Sequence, residues 1–111
     1  MNMYVKQFNK KFNFRATNKN VRKTVKMQLV LAKSEDIENK APQEQLEDID
    51  TMLDVVMEYI KDVLKLDSKS VGKLEDMEMN ETIDLANKIA MRIMGIDEQE
   101  AKKVVENPKK G

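Results

Sequence analysis

Glu35, Asp36 and Glu38, followed by Glu47, Asp48 and Asp50, are the densest carboxylate groups in the chain. Carboxylates gathered in this way can ligate a hard cation or share a proton as acid and base. Neither group has the Asp-x-Asp-x-Asp-Gly order of a calcium loop. Their spacing fits the solvated face of a helix instead. The sequence has no Cys and no His. That excludes disulfides, thiolate metal sites and thiol nucleophiles, and removes the commonest general base and metal ligand. There is no glycine-rich phosphate loop, and no serine stands in a nucleophile elbow. The inventory of reactive groups therefore points away from an enzyme, and it implies no cofactor and no metal.

Two other patterns could serve binding. Residues 1–34 contain nine basic side chains and no acid, a charge of +9, and the rest of the chain carries −9, so the net charge is zero. Tyr4, Phe8, Phe12 and Phe14 are interleaved with those cations. Cations and aromatic rings together are compatible with a nucleic-acid surface. No nucleic-acid-binding motif accompanies them, and the phenylalanines alternate as core residues do. The second pattern is methionine. Met52, Met57, Met77, Met79, Met91 and Met94, with Ile60 between them, are candidate contacts for a protein partner, because methionine adapts to irregular apolar surfaces. Each of these is also a reasonable core residue.

These side chains must be carried on helices for the most part. Charged residues are 36% of the chain and aromatics 5%, a balance that favours helices over sheets. The expected fold is mainly α: a small helical domain of about four helices, with a short N-terminal β-hairpin. Phe12, Phe14 and Ala16 alternate with Lys11, Asn13 and Arg15, the period of a half-buried strand. Tyr4, Val5 and Phe8 can form the opposing strand, with a turn near Asn9 and Lys10. Thr17, Asn18 and Asn20 are all suitable N-caps for a first helix over 20–33. Val21, Val25 and Leu29 recur every four residues on it, and Met27, Val30 and Leu31 widen the stripe.

Residues 34–45 are polar and contain Pro42, which reads as a loop or a frayed helix end stopped before the proline. A second helix is predicted over 44–66. Leu46, Ile49, Leu53, Val56, Ile60 and Val63 repeat at steps of three and four, and Met52, Met57 and Leu64 broaden that face. Residues 66–79 read as a broken stretch in which Ser68 or Ser70 caps a single turn and Gly72 weakens any longer helix. Asn80 is the expected N-cap of a helix over 80–95 that Gly95 closes. Asp97 and Glu100 begin a last helix over 97–106, which Pro108 ends. The length argues for one domain spanning 1–111. No apolar run is long enough to cross a bilayer, and a cytoplasmic protein is expected.

The order of these segments carries a resemblance. A strand-like Lys11-Phe12-Asn13-Phe14-Arg15 leads into a helix. A long acidic amphipathic helix follows from Leu46 to Leu66, then a short turn from Asp67 to Met79. The next helix opens Asn80-Glu81-Thr82-Ile83 and closes Ile93-Met94-Gly95. This resembles the tail assembly chaperones of long-tailed, siphovirus-type phages and prophages of Gram-positive bacteria. The resemblance implies a non-catalytic assembly factor that binds the tape measure protein, keeps its long apolar helices soluble and helps the tail tube protein assemble. It implies action in the bacterial host cytoplasm and absence from the mature virion, with a homo-oligomer possible. It also implies a longer product made by a programmed −1 frameshift, for which the lysine pair Lys109-Lys110 offers an A-rich site. The readings that compete with it are a small nucleic-acid-binding regulator using the basic first third, and another helical adaptor between proteins.

Overall fold

The computed structural model describes residues 2–34 and 39–95. It is mainly helical, with four helices behind a two-stranded antiparallel hairpin. Strands β1 (Asn2–Val5) and β2 (Lys10–Asn13) pair with Met3 opposite Phe12 and Tyr4 opposite Lys11. Met3, Val5 and Phe12 point inward, whereas Tyr4 and Lys11 face water, as the two-residue period requires. Phe8 is not part of a strand: it ends a 3-10 turn, Lys6–Phe8, and its ring meets that of Phe12 edge-on at 5.7 Å. Asn9 closes the turn in the left-handed region at φ 51°, a conformation that asparagine tolerates better than most residues. The Tyr4 hydroxyl donates to Asn9 Oδ1 at 2.6 Å. Phe14 is buried but lies beyond β2, and Ala16 is exposed.

Helix α1 (Asn18–Ser34) begins where Thr17 Oγ1 accepts the backbone N–H of Asn20 at 3.1 Å, so Thr17 supplies the cap. Its core-facing side is not the stripe predicted by the four-residue spacing. Val25 and Leu29 are exposed, whereas Thr24 and Met27 are fully buried. Apolar residues occupy most of this helix's circumference, so spacing alone permits two faces. A polar contact distinguishes them. Thr24 Oγ1 donates to the Asn20 carbonyl at 2.8 Å and lies 2.7 Å from the hydroxyl of Tyr59, which is itself buried.

Helix α2 (Pro42–Leu64) starts at Pro42, two residues before the expected start at 44, and ends two residues before the expected 66. Proline suits the first turn, because its missing N–H would have had no helical acceptor. Met52, Val56, Tyr59, Ile60, Val63 and Leu64 form its buried side. Each such aliphatic side chain stabilises the fold by roughly 1.5–3 kcal/mol through removal from water. Leu46 continues the periodicity, yet it is 69% exposed because no described neighbour covers the first turns on that side. Lys65 ends the helix at φ 52°, with its N–H returned to the Lys61 carbonyl.

The segment expected to be broken contains a true helix, α3 (Ser68–Glu75). Its cap is Asp67, not a serine: Asp67 Oδ1 accepts the Ser70 N–H at 2.8 Å. That bond, with Lys10 3.7 Å away, holds the Asp67 carboxyl below the usual carboxylate range. Leu74 anchors α3 in the core, and α3 packs on the 3-10 turn. Helix α4 (Met79–Ile93) begins one residue before Asn80, with Glu78 at the N-cap position in extended backbone. Leu85, Ala86, Ile89, Ala90 and Ile93 bury against the rest. Gly95 follows at φ 78°, where glycine carries no steric penalty. Both α1 and α4 pack on α2, and all three phenylalanines lie in the common core. The helix predicted over 97–106 and the Glu35-Asp36-Glu38 cluster fall outside the described residues.

Candidate functional site

The candidate contacts do not converge on one patch. Met52 and Ile60 are buried on the inner side of α2. Met57 and Met77 are half-buried and packed against the core. Met79 and Met94 are each 44% exposed. They stand at opposite ends of α4, about 22 Å apart at the rise of an α-helix. Met91 is half-buried and lines a cleft between α4 and the hairpin.

That cleft, about 250 Å³, brings Tyr4 and the edge of β1 against Asp84, Lys88 and Arg92 of α4. Two bonds fix the hairpin there. Arg92 Nη1 donates to the Asn2 carbonyl at 3.1 Å, and Gln7 Nε2 donates to Glu81 Oε2 at 3.3 Å. Lys88 is paired with Asp84 at 3.3 Å. The cleft therefore combines an exposed phenol, a thioether and charged rims whose charges are partly satisfied, a composition that suits a protein side chain better than a reacting substrate.

A second surface follows the seam between α1 and α2. The helices run antiparallel: Lys23 and Thr24 meet Asp62 and Tyr59, whereas Val30 and Lys33 share a groove with Asp48 and Thr51. Two shallow grooves open along the seam, of about 240 and 190 Å³. Their α1 wall is basic, with Lys23, Lys26 and Lys33. Their α2 wall is acidic, with Asp48, Asp54, Glu58 and Asp62. Lys23 Nζ bridges the walls to Asp62 at 2.9 Å. Deeper in the seam, burial pushes the Tyr59 phenol above its ordinary pKa. Within the basic first third, Lys10 and Lys23 thus meet acids from later in the chain.

Among the described residues no three acidic side chains come together as a metal site. No described helix is long and apolar enough to cross a membrane. The candidate surfaces are apolar side chains set among charges, the chemistry of protein–protein contact. A family model for phage tail assembly chaperone proteins, TAC, matches residues 1–108. The chain belongs to the phage tail assembly chaperone family. No curated protein and no solved structure matches it. The family sets a role in tail assembly, with protein partners.

Reading the sequence for methionines missed four exposed apolar side chains of this chaperone: Tyr4, Val25, Leu29 and Leu46. Tyr4 had a signal, since it alternates with the inward Met3 and Val5 and so must face out. Val25, Leu29 and Leu46 had none, because each sits on an apolar periodicity that otherwise marks core.

Proposed function

We propose that this protein binds the tape measure protein of a siphovirus-type phage or prophage of a Gram-positive host, keeps it soluble, and assists tail tube assembly. It acts as a single domain over 1–111, without catalysis, in the bacterial cytoplasm, and leaves before the virion is complete. The observation that carries this reading is the family match over nearly the whole chain. The surface chemistry supports it. A tape measure protein rich in apolar helix needs a partner whose own apolar contacts are held among charges, so that the free partner remains in solution. Met79, Met91 and Met94, with Tyr4 beside the α4 cleft, provide such contacts. Met52, Met57, Ile60 and Met77 contribute from below, by holding α2 and the start of α4 in place.

Co-expression with the tape measure protein encoded by the same phage tests the reading. The expected result is a rise in soluble tape measure protein and its co-purification with this chain. Unchanged solubility with no co-purification would defeat the proposal. The frameshifted longer product is tested separately, by sequencing the coding DNA through Lys109-Lys110 for a slippery A-rich heptamer and an overlapping −1 frame.

A further inference from the structure

Among the described residues β1 pairs with β2 on one side only, and its other edge faces α4 across the cleft. The Asn2 carbonyl accepts from Arg92 on α4, so it points away from β2. In an antiparallel ladder the N–H and C=O of one residue point to the same side, and residues two apart share that side. The Tyr4 N–H and C=O therefore also point into the cleft, whereas Met3 and Val5 bond across to Phe12 and Lys10. No hydrogen bond from a described residue reaches the Tyr4 N–H or C=O on the cleft side. The Arg92–Asn2 and Gln7–Glu81 bonds pin the two ends of the cleft, about 16 Å apart along α4, and its middle stays open. Buried Val5 and Leu85 with half-buried Met91 make its apolar floor. Its rim sets three cations, Lys6, Lys88 and Arg92, against the single carboxylate of Asp84. Lys6 makes no ion pair with a described residue.

We propose that this cleft binds an extended, acidic segment of a partner protein, which adds to β1 as a third strand. A free donor and a free acceptor on one residue of a strand edge are matched by the backbone of another extended chain. A helix spends those groups on its own hydrogen bonds and offers neither. About five residues of extended chain span the distance between the two pinned ends. Alternation along such a segment turns one set of side chains towards Val5, Leu85 and Met91 and the other towards Lys6 and Lys88. The excess of cations selects carboxylates for the second set. Charged side chains beside an open edge also discourage indiscriminate strand pairing, and here they leave an acidic strand as the matching one. Tyr4 and Met91 serve as well in the function proposed above, but the strand edge takes such a segment whichever partner supplies it.

Hydrogen exchange followed by NMR on the purified full chain tests this, with the peptide acetyl-Glu-Val-Glu-Val-Glu-amide as probe. In the free chain the Tyr4 amide should exchange at least about tenfold faster than those of Met3 and Val5. Saturating peptide should slow it at least about tenfold. The same peptide N-methylated at every amide, or with lysine in place of glutamate, should bind at least about tenfold more weakly. Tyr4→Pro removes the edge donor, and proline suits a strand position whose N–H faces away from its neighbour. That variant should lose peptide binding with helix content unchanged. Lys6→Glu/Lys88→Glu, at two exposed sites, should weaken binding about tenfold and leave Tyr4 exchange in the free chain as it was. A Tyr4 amide already protected in the free chain overturns the proposal. So does an acidic peptide that fails to bind saturably, one that binds without protecting Tyr4, or a lysine peptide that binds as tightly. Soluble tape measure protein on co-expression, from a chain whose cleft takes no peptide, overturns the strand addition alone. Peptide binding without that solubility defeats the function proposed above and leaves the strand addition standing.

Discussion

Thr24→Val and Tyr59→Phe, made singly and together, should show which hydroxyl holds α1 against α2. Thr24 Oγ1 lies 2.8 Å from the Asn20 carbonyl oxygen and 2.7 Å from the Tyr59 hydroxyl. Threonine has one hydroxyl proton, and a carbonyl can only accept, so that proton goes to Asn20. Tyr59 must then donate to Thr24. Both residues are almost completely out of water, at 0% and 3% exposure. Tyr59→Phe removes the donor and leaves Thr24 still bonded to Asn20. Its cost is that of one net hydrogen bond, about 0.5–1.5 kcal/mol. Thr24→Val keeps the branched shape but leaves the Tyr59 hydroxyl without an acceptor in a dry site. Its cost is about 1–3 kcal/mol. The double variant puts two apolar groups face to face, and it should cost less than the sum of the two by about 1 kcal/mol.

Urea unfolding followed by far-ultraviolet circular dichroism measures all four proteins. The reasoning is refuted if Thr24→Val is no more damaging than Tyr59→Phe, or if the two add within about 0.3 kcal/mol. The same contact sets an alkaline limit. Burial raises the Tyr59 pKa above its ordinary value, so the native state holds the proton more tightly than the unfolded chain does. The stability this provides is fully present below the unfolded pKa of about 10 and is lost as pH rises through the native value. Tyr59→Phe should flatten that part of the stability profile, and an unchanged alkaline slope would place its cause elsewhere.

Three further outcomes follow from the fold. Met27→Ala empties a fully buried position and should destabilise by about 2–5 kcal/mol, whereas Leu46→Ser, at an exposed site, should stay within about 0.5 kcal/mol in the same unfolding assay. Gly72 lies inside α3 with open space where a Cβ would stand, and Lys65 occupies a left-handed position that favours glycine. Gly72→Ala and Lys65→Gly should therefore each raise thermal stability, by about 0.5–1 kcal/mol. Asp67→Ala should lower the urea midpoint at neutral pH through loss of the α3 cap. The depressed Asp67 pKa stabilises the fold above about pH 4, the usual carboxylate value, and is lost as pH falls through the native one, so the variant's deficit should shrink in acid.

Local patterns in the sequence carried much of this architecture. The steps of three and four along α2, the alternation around Phe12 and the glycine after α4 each follow from a backbone period or a single dihedral angle, and each is visible within about ten residues. The hairpin was legible from Tyr4 and Phe12, but its exact extent was not, because Phe8 closes a 3-10 turn and Phe14 lies buried beyond the end of β2. The N-caps were harder. Asp67 and Ser68 are both good capping residues, and Asn80 is a better one than Glu78, which holds the N-cap position of α4 without a side-chain hydrogen bond. Which one acts depends on where α3 and α4 dock, a tertiary fact. The facing of α1 was the least legible feature. Its core side is chosen by Thr24 and Tyr59, residues 35 apart in sequence. A threonine on a helix gives no hint of a tyrosine on the next. The candidate contacts suffered in the same way: Met52 and Met94 look alike in sequence, and only the packing of α2 and the end of α4 separates a core residue from an exposed one.

The uneven charge of the chain takes on a different meaning once α1 lies beside α2. Read along the sequence, a segment of +9 suggests a polyanion as partner. In the fold, Lys10 meets Asp67 at 3.7 Å and Lys23 meets Asp62 at 2.9 Å. Packed helices stand about 8–10 Å apart, close to the screening length at physiological salt, so a phosphate chain on α1 would also feel the carboxylates of α2. Tight binding to a nucleic acid needs several cations neutralising successive phosphates without such opposition. A protein surface needs only that charges alternate in a pattern its partner reverses. The arrangement also accounts for how Val25 and Leu29 can sit in water on a free chain: the cations beside them keep that strip hydrated and discourage indiscriminate apolar association. A partner of matching charge can still cover them. The charge division between the two segments, which looked like a clue to nucleic acid, is thus better suited to selecting a protein surface.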